Sequence, residues 1–164
     1  MNAAETAVAP QDVVAAFLDR GATAATAESL TAGLVAAALA DVPGASGMLR
    51  GGVVSYASEV KAALLGVSPE LLAEAGSVDA EVARQMAQGA RAACGADYAV
   101  ATTGAAGPEP HDGKPVGTVF VAVAGPHSTS VREHLFHGGR ADIRSAATQA
   151  ALAALRSAVV ADTP

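Results

Sequence analysis

The segment ATAESLTAG, Ala25 to Gly33, joins two kinds of local pattern. Residues 22–27 before it are a short run of Ala and Thr that predicts a buried strand. The Ala-rich stretch after it, with Leu34, Val35 and Leu39, predicts a helix over about 30–40. A strand running directly into a helix is the repeating unit of an α/β sheet. The hydroxyls at this junction have two readings. Ser29 or Thr31 caps the helix. Alternatively, Ser29 lies beside backbone N–H groups at the helix start, which favour anions and oxyanions, and acts as a nucleophile once a base is near.

The same alternation continues on both sides. Upstream, Pro10 suits a first helical turn, Val13, Val14, Phe17 and Leu18 share one face, and Gly21 ends that helix. Residues 1–9 read as a flexible tail, and 10–164 as one domain. Downstream, DVPGASG at 41–47 breaks the second helix. A strand is predicted from Gly51 to Tyr56, a short helix from Ser58 to Leu65, and another short helix from Pro69. Ser77 is a candidate cap for a helix over about 79–93. Further strands are predicted at 97–102 and 116–124, the latter pairing in a hairpin with TSVREHLFH at 129–137. A long terminal helix follows. Helices on both sides of a mixed sheet make a three-layer α/β/α sandwich.

Composition narrows the function. The 164 residues are 51% hydrophobic, enough for one sizeable core, with no Trp and only five Tyr and Phe. The net charge of -6 includes no basic stripe, which argues against a nucleic-acid partner. No apolar run approaches the roughly 20 residues that span a bilayer, and the N-terminus lacks a signal-peptide pattern. With a single cysteine, Cys94, these features predict a cytoplasmic protein without membrane association. There is no HExxH, no nucleotide P-loop and no GxGxxG after a strand, so zinc hydrolysis and the common nucleotide folds lose their signals.

Histidine is the usual base for a serine, but His111, His127, His134 and His137 have no acidic partner at an informative spacing. Lysine is scarce: only Lys61 and Lys114. Lys61 follows Tyr56 by five residues, where a strand end meets a short helix. It is either a solvated helix lysine or, if shielded at the sheet edge near Ser29, a general base with a lowered pKa. The loop TGAAGPEPHDGKP, Thr103 to Pro115, is either a plain turn or a source of backbone donors for a phosphate or amide. Arg140 and Arg144, four apart on the terminal helix and able to share a face, are candidates for phosphate or structural contacts, or else make surface ion pairs.

Four separated segments occur together and in order: TAESLTAG, GGVVSYASEVKAALLGV, TTGAAGP with KPVGTVFVAVA, and FHGGRADIRSAATQAAL. On these the chain, over roughly residues 10–160, resembles the C-terminal domain of the competence- and damage-inducible CinA proteins, in a stand-alone form without their larger N-terminal domain. The resemblance implies a nicotinamide-nucleotide amidase, an amidohydrolase acting on linear amides. It would convert nicotinamide mononucleotide to nicotinate mononucleotide and ammonia in pyridine nucleotide salvage, with no metal or organic cofactor, as a homodimer. It carries a Ser-Lys pair onto Ser29 and Lys61, with Tyr56 relaying a proton or fixing the amine. Glu28, Thr31, Gly33 and Glu59 are matching neighbours, and the segment with Thr103, Gly104 and Gly107 matches the substrate loop. Donors at the start of the second helix would hold the oxyanion.

The chain departs from the family pattern at three points. Ala32 stands where a second glycine is usual, Leu30 where Cys is frequent, and GAAGPEPHDG where the loop is richer in glycine. The altered loop keeps two alternatives in view: an amidase for another small amide, and a non-catalytic ligand-binding module.

Overall fold

The structure is a computed structural model, and it describes residues 7–162. Its elements are α1 (Pro10–Arg20), β1 (Ala24–Glu28), α2 (Leu34–Ala40), β2 (Leu49–Val54), α3 (Ser58–Leu65), α4 (Pro69–Ala75) and α5 (Ala80–Cys94). They continue with β3 (Tyr98–Gly104), β4 (Thr118–Ala124), β5 (Thr129–Leu135) and α6 (Arg140–Ala161). The fold is the expected three-layer α/β/α sandwich around a mixed sheet. The tail expected at residues 1–9 lies outside the described residues up to residue 6, and Val8 packs on the core.

The strand order is β2-β1-β3-β4-β5, with β1 parallel to β2 and β3 and the last two pairings antiparallel. Strand alternation divides two cores. Val100, Val119, Val121 and Val123 pack with α1, α2 and α6 residues such as Phe17, Leu39 and Leu152. Ala99, Ala101, Phe120 and Ala122 pack with α5 residues such as Val82 and Met86. The small side chains of β1 and β3 let α5 lie close to the sheet. The two helices α3 and α5 approach so closely that a Cβ on Gly89 would meet the Leu65 carbonyl oxygen. That contact seats the helix carrying Lys61.

From β1 the chain turns one way through α2 to β2, then crosses back through α3, α4 and α5 to β3. The carboxyl end of β1 is therefore the point where the winding reverses, the place where open α/β sheets form a crevice for ligands. Ser29 is the first residue beyond it. Two element boundaries differ from the sequence reading. Strand β2 ends at Val54, so Ser55 and Tyr56 lie past its end. Helix α2 starts at Leu34 rather than near residue 30, because residues 29–33 form a separate turn.

Candidate active site

Neither Ser29 nor Thr31 caps α2. The cap comes from Glu28, the last residue of β1, which is 1% exposed. Its Oε1 accepts from the N–H of Gly33 at 3.2 Å and Val35 at 2.9 Å, and from Thr31 Oγ1 at 2.7 Å; Oε2 accepts from the Ala36 N–H at 3.1 Å. A carboxylate at a helix N-terminus satisfies orphan N–H groups and complements the dipole. It also uses the donors expected to serve an oxyanion. Leu34 N–H is likewise taken, by the Thr31 carbonyl. Among the described residues, the amide N–H groups of Leu30 and Ala106, both on the pocket wall, meet no acceptor.

The turn holds Ser29 at the mouth of a crevice of about 160 Å³, lined also by Tyr56, Ser77, Gly107, Glu109, His111 and Arg140. Its backbone N–H donates to the Thr102 carbonyl at 3.0 Å. Lys61 reaches it from α3. The Nζ of Lys61 is 3.0 Å from Ser29 Oγ, 2.7 Å from the Ser55 carbonyl oxygen and 3.4 Å from that of Tyr56. Lys61 is 0% exposed. Burial is the main cause that lowers its pKa from 10.5 to about 8, against a smaller upward pull from Asp112. A neutral amine fits these partners: two N–H groups point to carbonyls and the lone pair accepts the Ser29 hydroxyl proton. No histidine has a hydrogen bond to Ser29 or Lys61 among the described residues.

The other expected site residues separate into two groups. Gly104, Gly107, Tyr56 and Arg140 line the crevice. Arg140 donates through Nη2 to the Tyr56 hydroxyl and through Nη1 to the Gly107 carbonyl, both at 2.6 Å. The Tyr56 hydroxyl is therefore held by arginine, and it is the backbone carbonyl of Tyr56 that reaches the amine.

The remaining expected residues are not among those lining the crevice, and most of them contact other parts of the chain. Glu28 and Thr31 are sealed under the turn, with Thr31 Oγ1 also 2.8 Å from Thr102 Oγ1. Gly33, at φ 99°, serves the turn. Arg144 makes a structural contact, one of the roles expected of it: it donates to the carbonyls of Leu30 at 2.8 Å and Thr31 at 3.4 Å and braces that turn from α6. Thr103 is buried and donates to the Ser77 carbonyl at 2.6 Å. Glu59 borders a separate shallow recess with Ala62, Pro69 and Leu72.

Sequence reasoning missed Asp112, and it gave Ser77 the wrong task. Asp79, not Ser77, caps α5, accepting from Glu81 and Val82. Ser77 instead lines the crevice and donates to Asp112. The clue available was the Gly76-Ser77 pair, an irregular connector where one helix cap would suffice.

A family model, the CinA C-terminal domain, matches residues 6–159. The chain belongs to the CinA C-terminal domain family. Within it, a CinA-like protein of Frankia casuarinae is 50% identical over 144 residues, which cover 88% of this chain and 33% of that protein. A CinA-like protein of Geobacter sulfurreducens is 49% identical over 141 residues, 85% of this chain and 34% of that one. The chain thus spans about a third of the length of these CinA relatives. A solved structure of a CinA superfamily protein from Klebsiella pneumoniae matches with TM-score 0.89 at 33% identity, over 93% of this chain and 96% of that one. The competence/damage inducible protein CihA from Agrobacterium tumefaciens matches with TM-score 0.85 at 35% identity, over 94% and 99%. No helix among the described residues is long and apolar enough to cross a membrane.

Proposed function

We propose that this CinA domain is an amidase that hydrolyses the carboxamide of nicotinamide mononucleotide to nicotinate mononucleotide and ammonia. The observation that carries the reading is the buried contact of 3.0 Å between Lys61 Nζ and Ser29 Oγ, with the remaining Lys61 contacts made by carbonyls. In this reading neutral Lys61 takes the Ser29 hydroxyl proton as Oγ bonds to the carboxamide carbon. The oxyanion is met by the unpaired N–H groups of Leu30 and Ala106. The Lys61 ammonium then gives its proton to the amide nitrogen, the C–N bond breaks and ammonia leaves. Water attacks the acyl-enzyme while Lys61 takes its proton. The ester C–O bond breaks, and that proton returns to Ser29.

Arg140 and Tyr56 form the rim suited to an anionic group on the same ligand, and Glu109 offers a carboxylate to a cationic ring. We place the phosphate at Arg140 and the pyridinium toward the interior. Homodimer formation belongs to the same proposal and is read from sedimentation at micromolar concentration.

The test is ammonia release from nicotinamide mononucleotide by the wild type and by Ser29→Ala, with chelator present. The reading expects turnover by the wild type, a loss of at least about a thousandfold in Ser29→Ala with the fold retained, and poor use of free nicotinamide. A folded Ser29→Ala variant with full activity removes the serine from the reaction. A folded wild type that spares the nucleotide but cleaves another small amide redirects the substrate, and one inert on a panel of amides favours a binding module.

A further inference from the structure

Two backbone irregularities outside the Ser-Lys pair converge on one carboxylate. Asp112 has φ 49°, in the left-handed region. Gly76 has φ 75° and ψ -175°, a conformation open essentially to glycine. A Cβ on Gly76 would also lie 2.5 Å from the Asp112 Cβ and Cγ. Both departures let Asp112 Oδ2 accept from the Ser77 N–H at 2.7 Å and from Ser77 Oγ at 2.9 Å. The same Ser77 accepts Thr103 Oγ1 at its carbonyl. Segment 104–111, whose residues line the crevice, is thus held at one end by β3 and at the other by Asp112.

We propose that Asp112 is a positioning residue for the Ser29–Lys61 site: its carboxylate clasps the 105–117 loop onto Ser77 and so fixes the crevice roof. A non-glycine residue held at positive φ persists where its surroundings fix it, and such positions cluster at functional sites. Here it fixes the loop whose residues line the crevice.

The electrostatics agree with the geometry. Burial works to raise the Asp112 pKa, but hydrogen bonds from Ser77 and Val78, with His111 alongside, bring it net below the ordinary carboxylate value. Its His111 neighbour has Nε2 at 3.3 Å from Oδ2. The Asp112 charge favours the ammonium form of Lys61, against the larger effect of burial. Ser29, Ser55 and Tyr56, the other partners of that amine, are uncharged.

Two substitutions separate the clasp from the charge. Asp112→Asn keeps one oxygen able to accept both Ser77 bonds and tolerates positive φ, but removes the charge. Asp112→Gly fits φ 49° without strain and removes both. Two readouts need no substrate: hydrogen exchange at the Ser77 amide, and titration of ¹³Cε-labelled lysine, with Lys61 and Lys114 the only resonances. The kinetic readout rests on the amidase reading and uses nicotinamide mononucleotide.

In Asp112→Asn, Ser77 stays protected, the Lys61 midpoint falls, and the rising limb of kcat/KM moves to lower pH with it. In Asp112→Gly, Ser77 exchange quickens at least about tenfold and KM rises roughly tenfold. Unchanged Ser77 protection in Asp112→Gly overturns the proposal. If Asp112→Gly does not fold, Ser77 exchange in Asp112→Ala, which also lacks the accepting carboxylate, decides. A wild type that does not turn over the nucleotide defeats the amidase reading, while the exchange results still decide the clasp.

Discussion

Lys61 Nζ lies 3.0 Å from Ser29 Oγ and 2.7 Å from the carbonyl of Ser55, a residue it reaches from the following helix. The amine therefore has one partner that can give it a proton and carbonyls that cannot. As a base it works only when neutral, and its pKa is lowered to about 8. The expected kcat/KM for ammonia release rises with pH through about 8 and levels off above it. Lys61→Arg is expected to lose activity by at least about a hundredfold at every pH, since guanidinium does not deprotonate in proteins. A pH profile flat from 6 to 9 in the wild type, or activity in Lys61→Arg, removes Lys61 as base.

The same burial makes Lys61 a stability cost at neutral pH. The folded pKa, about 8, lies below the unfolded value near 10.5. Between those values the unfolded chain holds a proton that the folded one lacks, so stability rises with pH across that window. Below about 8 both states are protonated and the cost is full. Lys61→Met is expected to gain on the order of 1 kcal/mol at pH 7, allowing for solvent in the crevice, and to lose that advantage toward pH 10. Thermal unfolding at the two pH values measures it. A variant less stable than wild type at pH 7 contradicts the account.

Glu28 ties the Ser29 turn to the start of α2 through four hydrogen bonds. Glu28→Ala leaves buried N–H groups without partners in addition to a cavity, and each such group costs about 1–3 kcal/mol. The expected loss is about 3 kcal/mol, read from denaturant unfolding with the m-value as a check. A loss below about 1 kcal/mol would mean that the turn finds other partners.

These elements show what the sequence made legible. Helix α3 begins at Ser58 and ends at Leu65 as predicted, and α1 is bounded by Pro10 and Gly21, because those signals are local. Ser29 and Lys61 were legible through motifs at strand-helix junctions. The start of α2 was not, because its cap is a carboxylate from the preceding strand rather than a hydroxyl at the junction. Arg144 binds carbonyls more than a hundred residues away in sequence, and Ser77 meets Asp112 across 35. Neither pairing leaves a periodic trace. Glu28 and Thr31 were recognisable by pattern, while their burial and their hydrogen bonds within the Ser29 turn were not.

Ala32 lies in the Ser29 turn in a conformation that few non-glycine residues adopt. It sits at φ 47°, and Gly33 beside it at φ 99°. Ala32 N–H donates to the Ser29 carbonyl at 3.1 Å, so this left-handed step is part of the turn that presents the nucleophile. An L-residue there is disfavoured by about 1–2 kcal/mol relative to the right-handed form, a penalty that glycine lacks. Glycine gives back part of that gain by loosening the unfolded chain. Ala32→Gly is therefore expected to stabilise by about 0.5–1 kcal/mol. Ala32→Val adds a β-branched side chain at the same φ and is expected to destabilise by more than that. Ala32 is exposed, so neither change alters core packing, and paired denaturant curves isolate the backbone effect. A lower unfolding midpoint for Ala32→Gly, or equal midpoints for Gly and Val, would show that the turn does not hold Ala32 in the left-handed region.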